Sequence, residues 1–579
     1  FSAAALTVAT SAAAQGARSA ADLDIDLNVR IPLRDGVELA ATIYHPKGPR
    51  TPRPVILAMT PYIADRYHSY VIPIAKRGYV VAVVDVRGRG SSGGEFHPFA
   101  QEAKDGYDTV EWLAKQPWSN GKIGMMGGSY GGFNQWSTLK EFPPHLVTIA
   151  PTASAHTGVD FPVNGGVSSK YMMQWLTLVT GQAPQMTIFG DAGYWLAKAR
   201  ETYLAHVPFA KLDSAVGNPS PLFQRWIRHP DYDEYWQEMN PSPEQLAKVT
   251  IPIFTRTGMY DGDQVGAMEH YRKHMQHGNP EAKARHYLMI GPWDHGGTRT
   301  PSKSFGGLTF GDASVIDMES LEADWYDWTM GNGPRPKLLP KRVAYYVTGA
   351  EVWKHADSLE EVGRDPTRFY LTSTGDAARD VFASGALVTE RPKPSAPDRW
   401  RNDPLDTKPG EHEPAGGGYT DQRAALELNG RGVVYHTAPF ERDTEITGFP
   451  TLSLWLTSSV PDTDLQALIY EITADGRSIL LDDANLRTRY RESLSKPVLM
   501  TPGKPTRIDF VRFRFMSRQI AKGSRIRLVV RSVNSIGYER NYQSGGAVAF
   551  ETVTDARVGD FALLHAGDHW SVLDLPIVK

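Results

Sequence analysis

The chain has no cysteine among its 579 residues, which excludes disulfides, thiolate catalysis and thiolate metal sites. It also lacks an excess of charge of either sign. Lys and Arg number 62 against 65 Asp and Glu, a net charge of −3, so nothing points to nucleic acid or to an anionic membrane surface as a partner. No stretch is long and apolar enough to span a bilayer, and no internal repeat is present. Aromatic residues are plentiful: 14 Trp and 25 Tyr suit large packed interfaces or an aromatic-lined pocket. The length calls for two to four domains rather than one core. The opening is small and apolar, with no charge before Arg18. It reads as the end of a secretory signal peptide, with cleavage at Ala12-Ala13-Ala14, so a soluble periplasmic or secreted protein is expected.

Organisation follows from the hydrophobic pattern. Residues 25–31 and 37–44 alternate around Asp35-Gly36 as in a hairpin, and 54–59 and 78–85 read as further strands. A glycine-rich loop spans 87–96, and 105–115 has helical spacing with Tyr107, Val110, Trp112 and Leu113 apolar. Strands alternating with helices imply a mostly parallel sheet covered on both faces. From about 150 to 245 aromatic-rich helical stretches appear without clear strands. The alternation then resumes at 251–256 and 286–290, ahead of a helix over 321–330. Beyond about 365, short strands recur at 451–456, 465–472, 506–515, 525–532 and 547–552, and the Pro/Gly-rich stretch 391–423 reads as a long loop. The expected domains are an N-terminal arm with the signal remnant (1–24), an α/β core (25–150 and 246–350), a helical cap (151–245) and an all-β domain with its linker (351–579).

Gly127-Gly128-Ser129-Tyr130-Gly131 fits the G-x-S-x-G nucleophile elbow. Lys122-Ile123-Gly124-Met125-Met126 before it reads as a buried strand, and the residues after it open a helix. That strand–turn–helix context is what the motif requires. A serine hydroxyl is a poor nucleophile without a base and an orienting acid. On this fold the acid and the histidine follow the serine in that order, each after a late strand. Asp261 comes first after the strand at 253–258, with Asp263 as the competing acid, and His295 lies in a glycine-flanked loop after 287–290. Ser129 is then the nucleophile, His295 the general base and acid, and Asp261 the group that orients the imidazole. The Tyr130 N–H supplies one oxyanion donor. The second should follow an early strand, where the Tyr62 hydroxyl suits.

The motifs taken together resemble a known family. Thr60-Pro61-Tyr62, Asp85-x-Arg87-Gly88-x-Gly90-x-Ser92-x-Gly94, Gly128-Ser129-Tyr130-x-Gly132, Gly258-x-Tyr260-Asp261 and Gly291-Pro292-Trp293-x-His295 are similar to the signatures of the CocE/NonD hydrolases. That group holds bacterial cocaine esterase, α-amino acid ester hydrolases and X-prolyl dipeptidyl aminopeptidase. His229-Pro230-x-Tyr232-Asp233-x-x-Trp236, Arg489-Tyr490-Arg491-Glu492 and Tyr538-x-Arg540-Asn541 are similar too. The resemblance implies an α/β-hydrolase core with a helical cap insertion and a C-terminal jelly roll, and a triad of Ser129, Asp261 and His295. It also implies an oxyanion hole of Tyr62 and the Tyr130 N–H, with no metal or cofactor. On family analogy the cap and jelly roll also offer surfaces for a homo-oligomer.

The expected activity is hydrolysis of small carboxylic or α-amino acid esters, and of amides such as β-lactam side chains, through an acyl-enzyme. The resemblance keeps an X-Pro dipeptidyl-peptidase open. A reading of another class is an inactive carbohydrate- or surface-binding protein. Amino acid ester hydrolases of the family hold the substrate ammonium with a carboxylate cluster, for which Asp160, Asp191, Asp231 and Asp233 are the candidates here. Two other patterns are set aside. His270-x-x-x-His274 has zinc-like spacing but no H-E-x-x-H glutamate, and is expected on a surface helix. Gly88-x-Gly90-x-x-Gly93 follows a strand but opens no helix, which rules out a dinucleotide site.

Overall fold

The computed structural model describes residues 20–374, 377–411, 413 and 418–579. The alanine-rich start, on which the export expectation rests, lies outside the described residues. Among the described residues no helix is long and apolar enough to cross a membrane.

The N-terminal part is built on one ten-stranded sheet. Its strands are β1 (Leu23–Pro32), β2 (Glu38–Pro46), β3 (Arg53–Thr60), β4 (Val80–Asp85), β5 (Ser119–Gly128), β6 (Leu146–Thr152), β7 (Ile253–Gly258), β8 (His286–Gly291), β9 (Val343–Val347) and β10 (Val352–Ala356). Their spatial order is β1-β2-β4-β3-β5-β6-β7-β8-β9-β10. Strands β3 to β9 run parallel, while β1, β2 and β10 pair antiparallel at the two edges. The β-branched run of β4, buried at every position, is what a strand covered on both faces requires. On one face Glu102–Ala114 and Tyr130–Leu139 bury Val110, Leu113, Phe133 and Trp136. On the other, His68–Lys76 and Met318–Met330 bury Val71, Ile72, Leu321, Trp325 and Tyr326. The sheet places the ends of β3, β5, β7 and β8 on one rim, where their loops converge.

Between β6 and β7 the chain leaves the sheet for short helices, the longest being Tyr171–Leu178 and Ala192–Leu204, and for one two-residue strand pair, Val163–Asn164 with Val167–Ser168. The C-terminal part is β-rich, with two short helices, Lys408–Glu411 and Arg423–Leu426. Among the described residues its main sheet has twelve strands, and Asp464–Ile472 is buried throughout. Leu465, Ala467 and Ile469 face the main β core, and Leu468, Tyr470 and Ile472 face a smaller cluster. Alternation in Thr451–Ser458 leaves one face half-buried, the usual sign of a sheet that packs on one side.

Three sequence expectations need correction. Residues 547–552 were expected as a strand but hold a 3-10 turn, Val548–Phe550. The stretch 391–423 is not one loop: Ser395–Asn402 pairs antiparallel with Gly559–Ala566, since Asp398, Trp400 and Asn402 alternate inward despite the charged residues between them. The core sheet runs on to Ala356 through β10, because the turn after β9 returns the chain to pair with it.

Candidate active site

Ser129 stands where β5 meets the helix Tyr130–Leu139. Its φ of 61° and ψ of −120° lie outside the comfortable range of an L residue, at a cost on the order of 1–3 kcal/mol. The turn persists because the Ser129 N–H donates to the Thr152 carbonyl at 2.9 Å and the Ser129 carbonyl accepts from Gly132 and Phe133. Gly132 is required there, since a Cβ would sit 2.8 Å from the Thr152 carbonyl oxygen. The Tyr130 N–H is the first of the helix and belongs to the donors that have no intrahelical acceptor.

The acid and base loops are joined to each other. β7 and β8 pair in register to Gly258 and Gly291. Beyond them Met259 N–H donates to the Gly291 carbonyl at 2.8 Å and Tyr260 N–H to the Trp293 carbonyl at 3.0 Å. Gly258 makes this approach feasible, because a Cβ would lie 2.1 Å from the Trp293 oxygen. The result is a 2.8 Å contact between His295 Nδ1 and Asp261 Oδ1, with Asp263 Oδ2 at 3.7 Å from the same nitrogen. Asp261 is fully buried, and it also accepts from the Asp263 N–H at 3.0 Å and from Thr257 Oγ1 at 3.4 Å. Burial alone would raise its pKa; the charge and hydrogen bond of His295, the Asp263 N–H and the Arg299 charge outweigh burial and hold it below the usual range. His295 shows the reverse balance. Burial pulls it down, but the charges of Asp261 and Asp263 push it up to about 9. Its ring is 38% exposed, and that exposure is to the cavity, so solvent there screens part of the effect. Asp263 is pushed up to about 6 by burial and by the Asp261 charge.

Ser129, Tyr130, Tyr62, Asp160, Asp263 and His295 all line one cavity of about 440 Å³, within the size range of small-molecule sites. Tyr62 Oη accepts from Trp175 Nε1 at 3.0 Å, which leaves its own proton to donate into the cavity; burial pushes this hydroxyl up to about 12. The glycine-rich loop positions it. Arg89 Nε donates to the Pro61 carbonyl at 2.8 Å and Asp85 Oδ1 accepts from the Ala64 N–H at 2.7 Å. That loop leads to no helix before Glu102, so its glycines serve the turn beside Tyr62. The Tyr130 side chain points away from the chemistry and donates to Glu102.

Of the four carboxylates expected to form a cluster, the structure brings only Asp160 to the cavity. Burial and the Asp263 charge raise its pKa well above normal, and it accepts from the His156 N–H at 2.8 Å and the Gly266 N–H at 2.7 Å. The other three are corrected. Asp191 caps the helix Ala192–Leu204 through the Tyr194 N–H. Asp231 accepts from Tyr490 Oη at 2.7 Å. Asp233 contacts His229 Nδ1 at 2.7 Å. The last two belong to the junction of cap and β domain, where the Tyr490 hydroxyl also lies 3.1 Å from the Pro230 carbonyl. His270 and His274 are also corrected. Both are buried, not on a surface; His270 stacks on Trp136 at 5.0 Å and His274 Nδ1 meets His286 Nδ1 at 2.9 Å. The ligand atoms of Asp261, Asp263 and His295 lie within 4.8 Å of one another, a spacing that a divalent cation also accepts. Insensitivity of the rate to EDTA is the outcome expected of the hydrogen-bonded arrangement.

Two family models cover most of the chain: X-Pro dipeptidyl-peptidase (S15 family) over residues 35–297 and X-Pro dipeptidyl-peptidase C-terminal non-catalytic domain over 337–570. Cocaine esterase of Rhodococcus sp. (strain MB1 Bresler) is 29% identical over 595 aligned residues, which span 95% of this chain and 98% of the relative. The chain belongs to the CocE/NonD hydrolases. Among solved structures, an α-amino acid ester hydrolase superposes with a TM-score of 0.81 at 22% identity, covering 97% of each chain. An aminopeptidase from a marine sediment archaeon, Thaumarchaeota archaeon, does so at 0.78 and 23%, again covering 97% of each. The protein is a serine hydrolase with an α/β-hydrolase core and a β-rich C-terminal domain.

For this hydrolase, reading the sequence missed the far wall of the cavity. Asp483, Asn485, Arg512, Arg514 and Tyr538 of the β domain all line it. Only Tyr538 had a signal, in the Tyr538-x-Arg540-Asn541 motif; the others are set by long-range pairing that no local pattern reports. Asp263 was weighed as the triad acid and not as a cavity carboxylate.

Proposed function

We propose that Ser129 attacks the acyl carbon of an ester or amide whose acyl part carries a free ammonium. His295 removes the serine proton and returns it to the leaving group. Asp261 holds the imidazole Nδ1–H, and the Tyr62 hydroxyl and Tyr130 N–H receive the developing oxyanion. The acyl-enzyme then reacts with water by the same steps. The observation that carries the ammonium reading is the presence, in the wall of the cavity that holds Ser129, of Asp160 and Asp263, two carboxyls raised by burial and by repulsion from a neighbouring aspartate, whose charged forms a substrate ammonium would favour. Cocaine esterase and the α-amino acid ester hydrolase agree with ester cleavage.

The test is a paired rate assay with phenylalanine methyl ester and 3-phenylpropionate methyl ester. A preference of about tenfold or more for the amine is expected, since one ion pair in a partly desolvated site is worth on the order of 1–2 kcal/mol. Equal rates would leave a general acyl esterase. Labelling by a fluorophosphonate, lost in Ser129→Ala, is the companion test of the nucleophile. The S15 family model and the archaeal aminopeptidase favour a second reading, release of N-terminal dipeptides from X-Pro chains. Turnover of an X-Pro anilide above that of the amino acid ester would select it.

A further inference from the structure

The C-terminal domain closes the cavity with a short segment between two strands, Thr506–Phe510 and Met516–Ile520. Side chains alternate along it. Phe513 and Phe515 are buried, and Arg512 and Arg514 turn to the cavity. The segment is seated on the acid loop of the triad: the Phe515 N–H donates to Gln264 Oε1 at 2.6 Å, and Gln264 Nε2 donates to the Phe515 carbonyl at 3.1 Å. The Gln264 N–H in turn reaches the Asp261 carbonyl at 3.2 Å. The two arginines therefore stand in a fixed relation to the catalytic residues.

They differ in what neutralises them. Arg514 donates Nε to Asp482 and Nη2 to Asp483, each at 2.7 Å. Among the described residues Arg512 pairs with a single carboxylate, Glu269, at 3.4 Å from Nη1. That carboxylate is shared with Lys273 Nζ, also at 3.4 Å. Arg272, stacked over Phe449 at 3.9 Å, feels the same Glu269. Three cations thus lean on one carboxylate, and both ion-pair contacts are longer than a good charged hydrogen bond. Arg512 remains 36% exposed and faces the cavity. The cavity therefore carries charge at separate places among apolar side chains such as Phe161, Met172 and Trp175: Asp160 and Asp263 on one wall, and an under-neutralised guanidinium on the wall of the β domain.

We propose that Arg512 is a subsite for a carboxylate carried by the leaving group, so that the preferred substrates are dipolar: a free ammonium on the acyl part and a carboxylate beyond the scissile bond. Guanidinium suits this role because its planar fork pairs with both oxygens of a carboxylate. The ammonium half rests on the function proposed above, and the carboxylate half stands on Arg512 alone.

Four substrates separate the two halves: the glycolic acid and glycolamide esters of phenylalanine, and the same two esters of 3-phenylpropionic acid. Each glycolic/glycolamide pair differs only in the leaving-group charge. The wild type should prefer the glycolate leaving group in kcat/KM by about tenfold, with the preference shrinking as salt screens it. Arg512→Gln should bring that ratio close to one, and Glu269→Gln, by freeing the guanidinium, should raise it about threefold or more. Should Arg512→Gln fail to fold, the opposite-signed Glu269→Gln result still decides. A wild-type ratio near one in both acyl series, or a ratio that neither substitution moves, overturns the proposal. Loss of the amine preference with retention of the glycolate preference would remove only the ammonium reading.

Discussion

His295 and the pair His270 and His274 lie close in sequence and occupy opposite environments. His295 sits at the cavity with two aspartates against one edge of its ring, and their charges raise it to about 9. His270 and His274 lie in the helix Gln264–His277, behind the same loops; both pack against Trp136, and His274 also against His286. Burial lowers His270 to about 3 and His274 to about 4, with the cation of Lys273 or Lys283 adding to it. An imidazole becomes a base in this fold only where the end of a strand delivers a carboxylate to Nδ1 and leaves Nε2 facing the substrate. In the cluster of His270, His274 and His286 burial instead favours the neutral ring.

The largest expected effect tests that division directly. His295→Gln should lower kcat by on the order of 10⁴ to 10⁶ on any ester, as removal of a triad member does, whereas His270→Gln should leave kcat near that of the wild type. A comparable loss in both would mean that the buried cluster takes part in the chemistry. Tyrosines divide in the same way. The Tyr62 hydroxyl faces the cavity and keeps its proton free, while the Tyr130 hydroxyl is tied to Glu102 behind the elbow. Tyr62→Phe should cost about tenfold to a thousandfold in kcat with little change in KM, the signature of a lost oxyanion donor. An unchanged kcat would remove Tyr62 from that role.

A finer test concerns the second aspartate. The base must be neutral to accept the serine proton, so kcat/KM on a substrate without an amine should rise with pH, with a midpoint above the 6.5 of a free imidazole and toward 9. Asp263 contributes to that elevation from 3.7 Å. Asp263→Asn should therefore move the midpoint downward by on the order of one unit, while Asp261→Asn should lower the rate by about 10⁴ through loss of imidazole orientation. A midpoint that Asp263→Asn leaves in place would reduce Asp263 to a cavity wall.

The sequence carried the α/β core and the order of the catalytic groups because both are local. β4 is an unbroken apolar run, Ser129 is framed by glycines at a strand end, and Asp261 and His295 each follow a strand by a few residues. The cavity opposite them was not legible. Arg512 and Arg514 lie in a Phe/Arg alternation that looks like any edge strand, and only the seating of Phe515 on Gln264 turns them toward the substrate. Asp231 and Asp233 misled for a related reason: a motif rich in acids and aromatics reads as binding chemistry, yet Asp233 pairs with His229 inside the cap, and Asp231 and Tyr232 join the cap to Tyr490, Leu494 and Ser495 of the β domain. Asp398, inside a stretch of composition typical of loops, lies within hydrogen-bonding reach of Ser373, Tyr435 and His565, which composition cannot foretell.

The smallest effect is one of stability. His270 and His274 titrate near 3 and 4 in the folded enzyme against about 6.5 in the unfolded chain. Above that value both states are neutral at these rings and neither contributes to pH dependence. As pH falls below it, the unfolded state takes up protons that the folded state refuses, and stability drops by about 1.4 kcal/mol per pH unit for each such ring until the folded value is reached. Carboxylates raised by burial, Glu102 to about 7 and Asp263 to about 6, act in the opposite sense over an overlapping range, so the wild-type curve alone does not isolate the histidines. His270→Phe keeps a ring against Trp136 and removes one titrating group. Urea midpoints measured at pH 7.5 and pH 5 for both proteins should show a smaller acid loss in the variant, by about 2 kcal/mol over that interval. An equal acid loss in the two proteins would mean that His270 charges while folded, and the contrast with His295 would then rest on position alone.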